Sequence, residues 1–366
     1  MRNFTNSKRI TIKIGTSTLS ENGGVNSTFI NSVTKQIAEL VKDGREVVIV
    51  TSGAIGMGAG KLGITEAVTD IEMRQACAAV GQPLLMSEYR KAFDKFGLTC
   101  AQVLLTAEVL NNRKTYLHLK NSIEALLKLG VVPILNENDC ISTDEIGTAF
   151  GDNDKLSALV ASKLDADVLI IMSDIDALYD KDPHKFDDAK PVSVVYEITP
   201  EIVKSAGSKG SKFATGGMKT KIDAAKIASN AGCRIVLVNG KAKDVIKRVI
   251  AGEAIGTVFM PKRKLDNRLR WILNSSAKGT ITIDSGAAEA IRKHKSLLPK
   301  GIKAVIGHFD AGDVIMLNNI AKAVINFDNE DLKKIAGKHS SDIKNILGEG
   351  KKDVAATPEN IVFLDY

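Results

Sequence analysis

The sequence predicts an α/β protein in which a mostly parallel β-sheet lies between two layers of helices, followed by a smaller β-rich domain. Three observations lead to this fold class. From Arg9 to Met260, short apolar segments alternate with helical patterns, which is typical of a parallel sheet covered on both faces. Residues 279–326 instead show short strands separated by turn signals. With 366 residues, the chain is long enough for two cores.

The strands of the sheet are predicted from their residue types. Each is short, apolar and rich in β-branched side chains, as strands buried on both faces are. In chain order they are residues 10–14, 46–50, 131–135, 167–172 and 234–238.

Helices are predicted between these strands from apolar residues at helical spacing, with capping residues at their ends. In one of them, Leu156, Leu159 and Leu164 lie on one face. The predicted helices are residues 28–42 behind a Ser27 cap, 115–129 ending at Gly130, 154–164 and 219–230.

The second domain is predicted from a change of pattern after a basic stretch. Of the net charge of +7, more than half comes from residues 262–270, which hold five basic residues and one acidic residue. We therefore expect a first domain at 1–261, a basic linker at 262–275 and a second domain at 276–366. The predicted strands of the second domain are residues 279–283, 301–306, 312–317 and 322–326.

Composition excludes several classes of protein. The basic charge is concentrated in one stretch and not spread over a face, so it is not the usual footprint of a nucleic-acid binder. The cysteines are far apart and form no C-x-x-C pair, so we expect neither a disulfide framework nor a zinc site. There is no apolar run of about 18 residues and no signal-peptide block near the start, and we expect a cytoplasmic protein without a membrane partner. The cysteines are Cys77, Cys100, Cys140 and Cys233.

Unusual residues follow the predicted strands, where open parallel sheets bind their ligands. A purely structural role could also explain some of these residues. Glycine and serine after a strand often form a tight turn, and residues 152–154 would serve as an ordinary helix cap. Lys13 is harder to explain in this way, because a lysine in an apolar strand is costly to bury unless it meets an anion. The segments are residues 13–17, 51–60, 136–139, 150–155 and 173–176.

Residues 215–221 place two glycines ahead of two lysines at the start of a predicted helix. Backbone N–H groups at a helix start, together with lysine charge, favour phosphate binding. The P-loop pattern is absent, because Gly60-Lys61 is followed by Leu62, and the glycines of residues 53–60 do not have dinucleotide-binding spacing. We therefore predict a phosphate site of another architecture.

These segments together resemble the glutamate 5-kinase (gamma-glutamyl kinase) family of the amino-acid kinase superfamily. Six motifs occur in one order between residues 9 and 260, which makes the resemblance specific. Residues 296–302, 312–315 and 336–340 are similar to the PUA domain that many members append. The six motifs are Lys13-x-Gly-Thr-Ser17, Thr51-Ser-Gly-Ala-Ile55, Asn136-Glu-Asn-Asp139, Phe150-Gly-Asp-Asn-Asp-x-Leu-Ser-Ala158, Ser173-Asp-Ile-Asp-x-Leu-Tyr179 and Thr215-Gly-Gly-Met-x-Thr-Lys221.

The resemblance implies a three-layer αβα sandwich of the amino-acid kinase fold with a PUA-like second domain. It implies transfer of the γ-phosphoryl group of ATP, accompanied by Mg²⁺, to the side-chain carboxylate of L-glutamate, the first step of proline biosynthesis. It assigns a catalytic role to Lys13, Lys221 and Asp154, and glutamate binding to Ser52, Asp139 and Asn153. Helix capping remains an alternative for Asp154. ATP binding is assigned to Lys13, Gly15, Gly53, Ser173, Asp174, Thr215, Gly216, Gly217, Met218, Lys219, Thr220 and Lys221.

Two departures from the family pattern concern the site. Ala214 stands where a glycine is usual, which would stiffen the nucleotide loop, and residues 139–151 are about two residues longer than is common.

Other functions remain open at this point. A related kinase would act on N-acetylglutamate, aspartate or a nucleoside monophosphate. A different reading makes the chain an RNA-binding or regulatory protein acting through residues 271–366, although 13 basic and 12 acidic residues there argue against strong RNA binding. The resemblance also suggests a dimer or tetramer and a functional link to glutamyl phosphate reductase.

Overall fold

The computed structural model describes residues 2–21, 24–142, 153–181, 183, 185–205, 217–261 and 264–364. The chain divides into two compact units, Met1–Lys264 and Leu265–Tyr366.

The first unit consists of alternating strands and helices. Its strands are β1 (Arg9–Ile14), β2 (Ser20–Glu21), β3 (Gly24–Val25), β4 (Glu46–Val50), β5 (Cys100–Leu105), β6 (Val132–Glu137), β7 (Val168–Ser173), β8 (Leu178–Tyr179), β9 (Pro191–Val192), β10 (Val194–Val195), β11 (Arg234–Asn239) and β12 (Thr257–Phe259). Its helices are α1 (Thr16–Leu19), α2 (Ser27–Lys42), α3 (Ala54–Lys61), α4 (Ile71–Asp94), α5 (Ala107–Asn111), α6 (Arg113–Lys128), α7 (Asp154–Lys163), α8 (Pro200–Ser205), α9 (Met218–Ser229) and α10 (Val245–Ile250).

Among the described residues, eight strands form one sheet in the order β10-β12-β11-β7-β1-β4-β6-β5. All its pairings are parallel except that between β11 and β12. The predicted α/β class with a mostly parallel sheet is thereby confirmed. Strand β1 has β4 on one side and β7, which comes much later in the chain, on the other. Its carboxyl end is therefore a topological switch point, where such sheets bind ligands.

Both faces of the sheet are covered by apolar side chains. On one face, Ile10, Ile12 and Ile14 of β1 pack in a core with residues of α2, α4 and α10. On the other face, strands β4 and β7 pack against α6, α7 and α9. Since β1 has isoleucines on the first face, Thr11 and Lys13 are directed to the face that carries α7.

Helices α3 and α4 pack backbone to backbone through two glycines. A Cβ added to Gly58 would lie 1.8 Å from the carbonyl oxygen of Cys77, and one added to Gly81 would lie 1.8 Å from that of Ala54. Any larger side chain at either glycine would push the helices apart. The close contact fixes α4 against the start of α3, which follows strand β4.

The second unit contains, within its described residues, a five-stranded sheet in the order β14-β13-β15-β16-β17. Strands β13 and β15 are parallel, and the other pairs are antiparallel. The elements are α11 (Asn267–Asn274), β13 (Gly279–Ile283), α12 (Ser285–Arg292), β14 (Ile302–Gly307), β15 (Val314–Leu317), β16 (Ala321–Val324), α13 (Asn329–Ile335), α14 (Ile343–Leu347) and β17 (Ile361–Phe363), with short 3-10 helices at Pro299–Gly301, Ser340–Asp342 and Pro358–Asn360.

Helix α11 differs from our expectation, because it occupies most of the segment predicted as a linker. Asp266 caps it by accepting from the N–H groups of Arg268 and Leu269, both at 2.9 Å. Trp271 and Ile272 are buried, and the helix contacts β16 and β17. These apolar residues make the segment part of the second unit. In the described parts of the chain, no helix is both long and apolar enough to cross a membrane.

Candidate active site

Two lysines and one aspartate meet at the carboxyl end of β1. The Nζ atom of Lys13 is 2.9 Å from Oδ1 of Asp154, the first residue of α7. In the first turn of α9, the Nζ atom of Lys221 is 3.2 Å from Oδ2 of the same carboxylate. All three side chains are at most 2% exposed. We call these residues the Lys-Asp-Lys cluster, and together they carry one net positive charge.

The fold explains why Lys13 is buried here. Helix α7 packs against β1 on the face to which Lys13 is directed. Burial of a lysine is costly unless a counter-charge meets it, and Asp154 supplies that charge at the first turn of α7. An acidic residue at a helix start is also favoured by the helix dipole.

The Asp154 carboxylate is held in its ionised form. Burial raises the pKa of this group, but the charges of Lys13 and Lys221 and the hydrogen bonds from Lys13 and Thr220 outweigh burial. The net result is a pKa below the ordinary value for aspartate. Thr220 Oγ1 donates to Oδ2 at 2.9 Å. The cap residue of α7 is Asn153, whose side chain forms no cap hydrogen bond, and both carboxylate oxygens of Asp154 face the lysines.

Glycines bring bare backbone to the same place. A Cβ at Gly15 would lie 3.4 Å from Lys13 Nζ and 3.3 Å from the Met172 carbonyl oxygen, so glycine leaves room beside the ammonium group. Gly53, with φ of 93°, precedes α3 in the left-handed conformation that favours glycine. Gly217 precedes α9. Within the described residues, neither α3 nor α9 has a side-chain cap or an acidic residue in its first turn. The backbone N–H groups of these first turns are therefore suited to binding an anion.

Two of the polar residues predicted to bind glutamate, Ser52 and Asn153, lie beside the cluster. Asn153 directly precedes Asp154, with a positive φ of 56°. Its Nδ2 donates to the Thr51 carbonyl oxygen at 2.6 Å and lies 3.4 Å from Ser52 Oγ. Ser52 and Asn153 are both buried. The structure therefore brings Ser52 and Asn153 together with the Lys-Asp-Lys cluster.

Asp139 follows β6 in a turn. Burial raises the pKa of its carboxyl to about 6, against a smaller opposing effect of the Arg74 charge. The turn contacts the start of α4, because Gln75 Nε2 donates to the Ser142 carbonyl oxygen at 3.3 Å. A carboxylate in such surroundings favours a cationic partner.

The remaining predicted residues that the structure describes lie at the carboxyl end of β7 and the start of α9. Ser173 Oγ donates to Asp174 Oδ1 at 2.9 Å, and the Ser173 carbonyl oxygen accepts from the Gly240 N–H at 2.7 Å. Met218 is half-buried, whereas Lys219 is exposed. Thr215 and Gly216, Ala214 and the part of the 139–151 segment from residue 143 onwards lie outside the described residues.

Sequence reasoning named Asn136 as part of a motif but gave it no role, and it missed Gln82. Asn136 Oδ1 accepts from Asn153 Nδ2 at 2.8 Å, and Asn136 Nδ2 donates to Gln82 Oε1 at 2.9 Å. Gln82 lies in the middle of α4, where no local pattern marks it.

The comparisons with known proteins agree with the fold. Residues 8–239 match the family model described as Amino acid kinase family, and residues 279–347 match the PUA domain. The chain is similar in fold to the carbamate kinase from Giardia lamblia bound to AMP-PNP, with a TM-score of 0.52 and 17% identity over 70% of this chain and 100% of that one. The two family-model matches define a kinase of the amino acid kinase class with a PUA domain after it.

Relatives with higher identity match almost the whole chain. The glutamate 5-kinase of Methanosarcina barkeri is 48% identical over 98% of this chain and 97% of its own length. That of Methanosarcina mazei is 47% identical over 99% and 97%, and that of Caldanaerobacter subterraneus subsp. tengcongensis is 46% identical over 98% of both chains. The chain therefore belongs to the glutamate 5-kinase family of the amino acid kinases.

Proposed function

We propose that this protein transfers the γ-phosphoryl group of ATP to the side-chain carboxylate of L-glutamate, giving L-glutamyl 5-phosphate for proline biosynthesis. The observation that carries the proposal is the buried Lys-Asp-Lys cluster at the switch point of the sheet, in a chain so similar to glutamate 5-kinases.

The chemistry requires positioning and charge neutralisation more than proton transfer. A side-chain carboxylate with a pKa of about 4.3 is already ionised at neutral pH, so no general base is needed. One of its oxygens forms a bond to the γ-phosphorus while the bond to the leaving oxygen breaks and ADP departs. Negative charge has to be stabilised on the transferring group throughout this step.

Lys13 and Lys221 are placed to stabilise that charge. They come from different elements, a strand and a helix, and Asp154 holds each ammonium group with a different carboxylate oxygen. We infer that Asp154 is the positioning residue for the lysines and that they approach the transferring group from opposite ends of the phosphate chain. Backbone N–H groups near Gly15 and Gly53 would then accommodate its oxygens.

Glutamate would be held by Ser52, Asp139 and Asn153. Asp139 suits the α-ammonium group, because a carboxylate and an ammonium form a charge-assisted hydrogen bond. N-acetylglutamate lacks that charge, so this contact would select the free amino acid.

ATP would be held by Ser173 and Asp174 and by the segment 215–221, in which the glycines admit the phosphates and Lys221 meets their charge. The described residues contain no cluster of three metal-ligating side chains. We expect Mg²⁺ to arrive as MgATP, held mainly by the phosphates, as is usual for this ion. A homo-oligomer and a link to glutamyl phosphate reductase remain predictions, and RNA binding by the PUA domain remains the less favoured alternative.

Trapping of the acyl phosphate tests the proposal. The enzyme is incubated with MgATP, hydroxylamine and one of L-glutamate, N-acetyl-L-glutamate or L-aspartate, and the hydroxamate is measured. ADP release with nucleoside monophosphates covers the remaining kinase alternative. We expect product with L-glutamate alone. Turnover of another acceptor in its place would overturn the substrate, and no turnover would overturn the activity.

A further inference from the structure

Four amide side chains form a hydrogen-bonded row that ends at Asn153, and we call them the amide row. Asn153 Nδ2 donates to Asn136 Oδ1 at 2.8 Å, and Asn136 Nδ2 donates to Gln82 Oε1 at 2.9 Å. Gln82 Nε2 donates in turn to Gln102 Oε1 at 3.2 Å. Gln102 is exposed, whereas the other three are buried. The row therefore runs from the surface to the proposed glutamate site.

Two backbone groups fix the direction of the row. Asn153 Nδ2 faces the Thr51 carbonyl oxygen at 2.6 Å, and a carbonyl can only accept. Asn136 Oδ1 faces the Glu137 N–H at 2.9 Å, and that group can only donate. The amide nitrogen of Asn153 and the amide oxygen of Asn136 are therefore assigned without reference to each other. Gln82 is then left to accept from Asn136.

This direction determines what Asn153 offers to a ligand. Both N–H bonds of its amide are used by Thr51 and Asn136. In the part of the chain that the structure describes, no group donates a hydrogen bond to Asn153 Oδ1. Asn153 therefore presents an acceptor, which suits an ammonium group and not a carboxylate.

We infer that Gln82 is a positioning residue for recognition of the α-ammonium group of L-glutamate. By accepting from Asn136 Nδ2, Gln82 holds the Asn136 side chain where its Oδ1 accepts from Asn153, and so supports the orientation, set by the two backbone groups, that presents Asn153 Oδ1 to the substrate. This inference rests on the proposed function and deepens it. The close α3–α4 contact supports this role. Gly81 lies against the Ala54 carbonyl and so holds the backbone next to Gln82 in place.

The test uses three variants, which differ in whether the side chain at position 82 or 102 can still accept a hydrogen bond. Gln82→Met keeps the side-chain length but removes the acceptor, so the buried amide of Asn136 loses its partner. Gln82→Glu keeps an acceptor for Asn136, and the exposed Gln102 can turn its amide to donate to the new carboxylate. Gln102→Ala is the matched control at the exposed end, where water can replace the lost acceptor.

Two ligands separate recognition of the ammonium from recognition of the rest of the substrate. The KM for L-glutamate is measured beside the inhibition constant of glutarate, which has both carboxylates but no amino group. For Gln82→Met we expect the glutamate KM to rise about tenfold, with kcat, the KM for ATP and the glutarate constant changed less than about twofold. Gln82→Glu and Gln102→Ala should stay close to the wild type.

Thermal unfolding of each variant checks folding, and Gln82→Leu replaces Gln82→Met if the latter does not fold. An unchanged glutamate KM in the variant without an acceptor would overturn the inference. An equal loss in Gln82→Glu, or a parallel rise in the glutarate constant, would also overturn it, since either indicates a general packing role. If the wild type itself does not phosphorylate L-glutamate, the proposed function fails first, which is a distinguishable result.

Discussion

At each end of helix α7, one aspartate forms ion pairs with two lysines. The two sets of residues differ mainly in how far their side chains are buried. At its start, Asp154 lies 2.9 Å from Lys13 and 3.2 Å from Lys221, with no side chain more than 2% exposed. Just past its end, Asp165 lies 3.7 Å from Lys120 and 3.4 Å from Lys264, and these side chains are 23–62% exposed. We call the second set the outer group.

The comparison shows that residue types alone do not make a site. In the outer group, water screens the charges and each pair contributes little. In the Lys-Asp-Lys cluster, water is excluded, so the same charges interact strongly and are costly to leave unpaired. The helix dipole adds to the contrast, because it favours an acid at the start of α7 and not at its end. A phosphate entering beside Lys13 and Lys221 would therefore meet a far stronger field.

The largest expected effect is on stability when the shared carboxylate is removed. Asp154→Asn leaves two buried lysines without their counter-charge, so we expect the free energy of unfolding at pH 7 to fall by about 3–5 kcal/mol. Asp165→Asn in the outer group is the matched control and should cost no more than about 1 kcal/mol. Urea denaturation of both variants makes the measurement, and equal losses would contradict the role given to burial.

The pH dependence of that loss has a definite sign. The pKa of Asp154 is lowered in the folded protein, so its contribution is present above the unfolded-state pKa of about 4 and is lost as the pH falls from there towards the folded pKa. We expect the difference between wild type and Asp154→Asn to stay constant from about pH 5 to 8. A difference that already disappears at about pH 6 would show that the carboxylate is not held in its ionised form.

Removal of either buried lysine should mainly affect the chemical step. We expect Lys13→Met and Lys221→Met to lower kcat about 100- to 1,000-fold with a small change in the KM for glutamate, as for loss of a group that stabilises transition-state charge. Lys120→Met in the outer group should keep kcat within about twofold. Steady-state kinetics by the hydroxamate assay measure both. A large rise in KM at unchanged kcat would instead assign the lysines to ground-state binding.

A third carboxylate sharpens the comparison, because Asp139 is half-buried and forms no ion pair with a lysine within the residues that the structure describes. Burial raises its pKa to about 6, so it is protonated at lower pH and could no longer attract the α-ammonium of glutamate. We expect kcat/KM for glutamate to fall about tenfold per pH unit below about pH 6. Asp139→Asn should have a low kcat/KM that no longer varies there, and a variant that keeps the wild-type profile would exclude Asp139 as the titrating group.

The smallest effect is expected in the outer group. Lys264→Met should change the free energy of unfolding by less than about 1 kcal/mol, and the change should shrink further in 1 M salt, because exposed charges are screened. Urea denaturation at low and high salt tests this expectation. A loss of several kcal/mol would place this exposed pair in the same energetic class as the cluster.

Much of the fold could be predicted because strands buried on both faces have a clear sequence pattern. The predicted strands of the first unit correspond to β1, β4, β6, β7 and β11, with small shifts at their ends. Helix α4 was not predicted, because Pro83 lies inside it and a proline normally ends or kinks a helix. Strand β5, at the edge of the sheet, is only half-buried and shows a weaker pattern.

The site could be predicted only in part, for a related reason. Lys13 was identifiable because a charge in an apolar strand needs an explanation. That Asp154 bridges two lysines depends on how β1, α7 and α9 pack, which no local pattern encodes. Gln82 gave no signal, since an uncharged amide within a helix is ordinary until its hydrogen bonds are known.

The most direct test of the central claim places the two lysine environments side by side. Lys221→Met and Lys264→Met each remove one lysine from an aspartate at one end of α7, and kcat with L-glutamate is measured for both at saturating MgATP. We predict a loss of about 100-fold or more for Lys221→Met and less than twofold for Lys264→Met. Equal kcat values for the two folded variants would contradict the claim that the buried cluster performs the transfer.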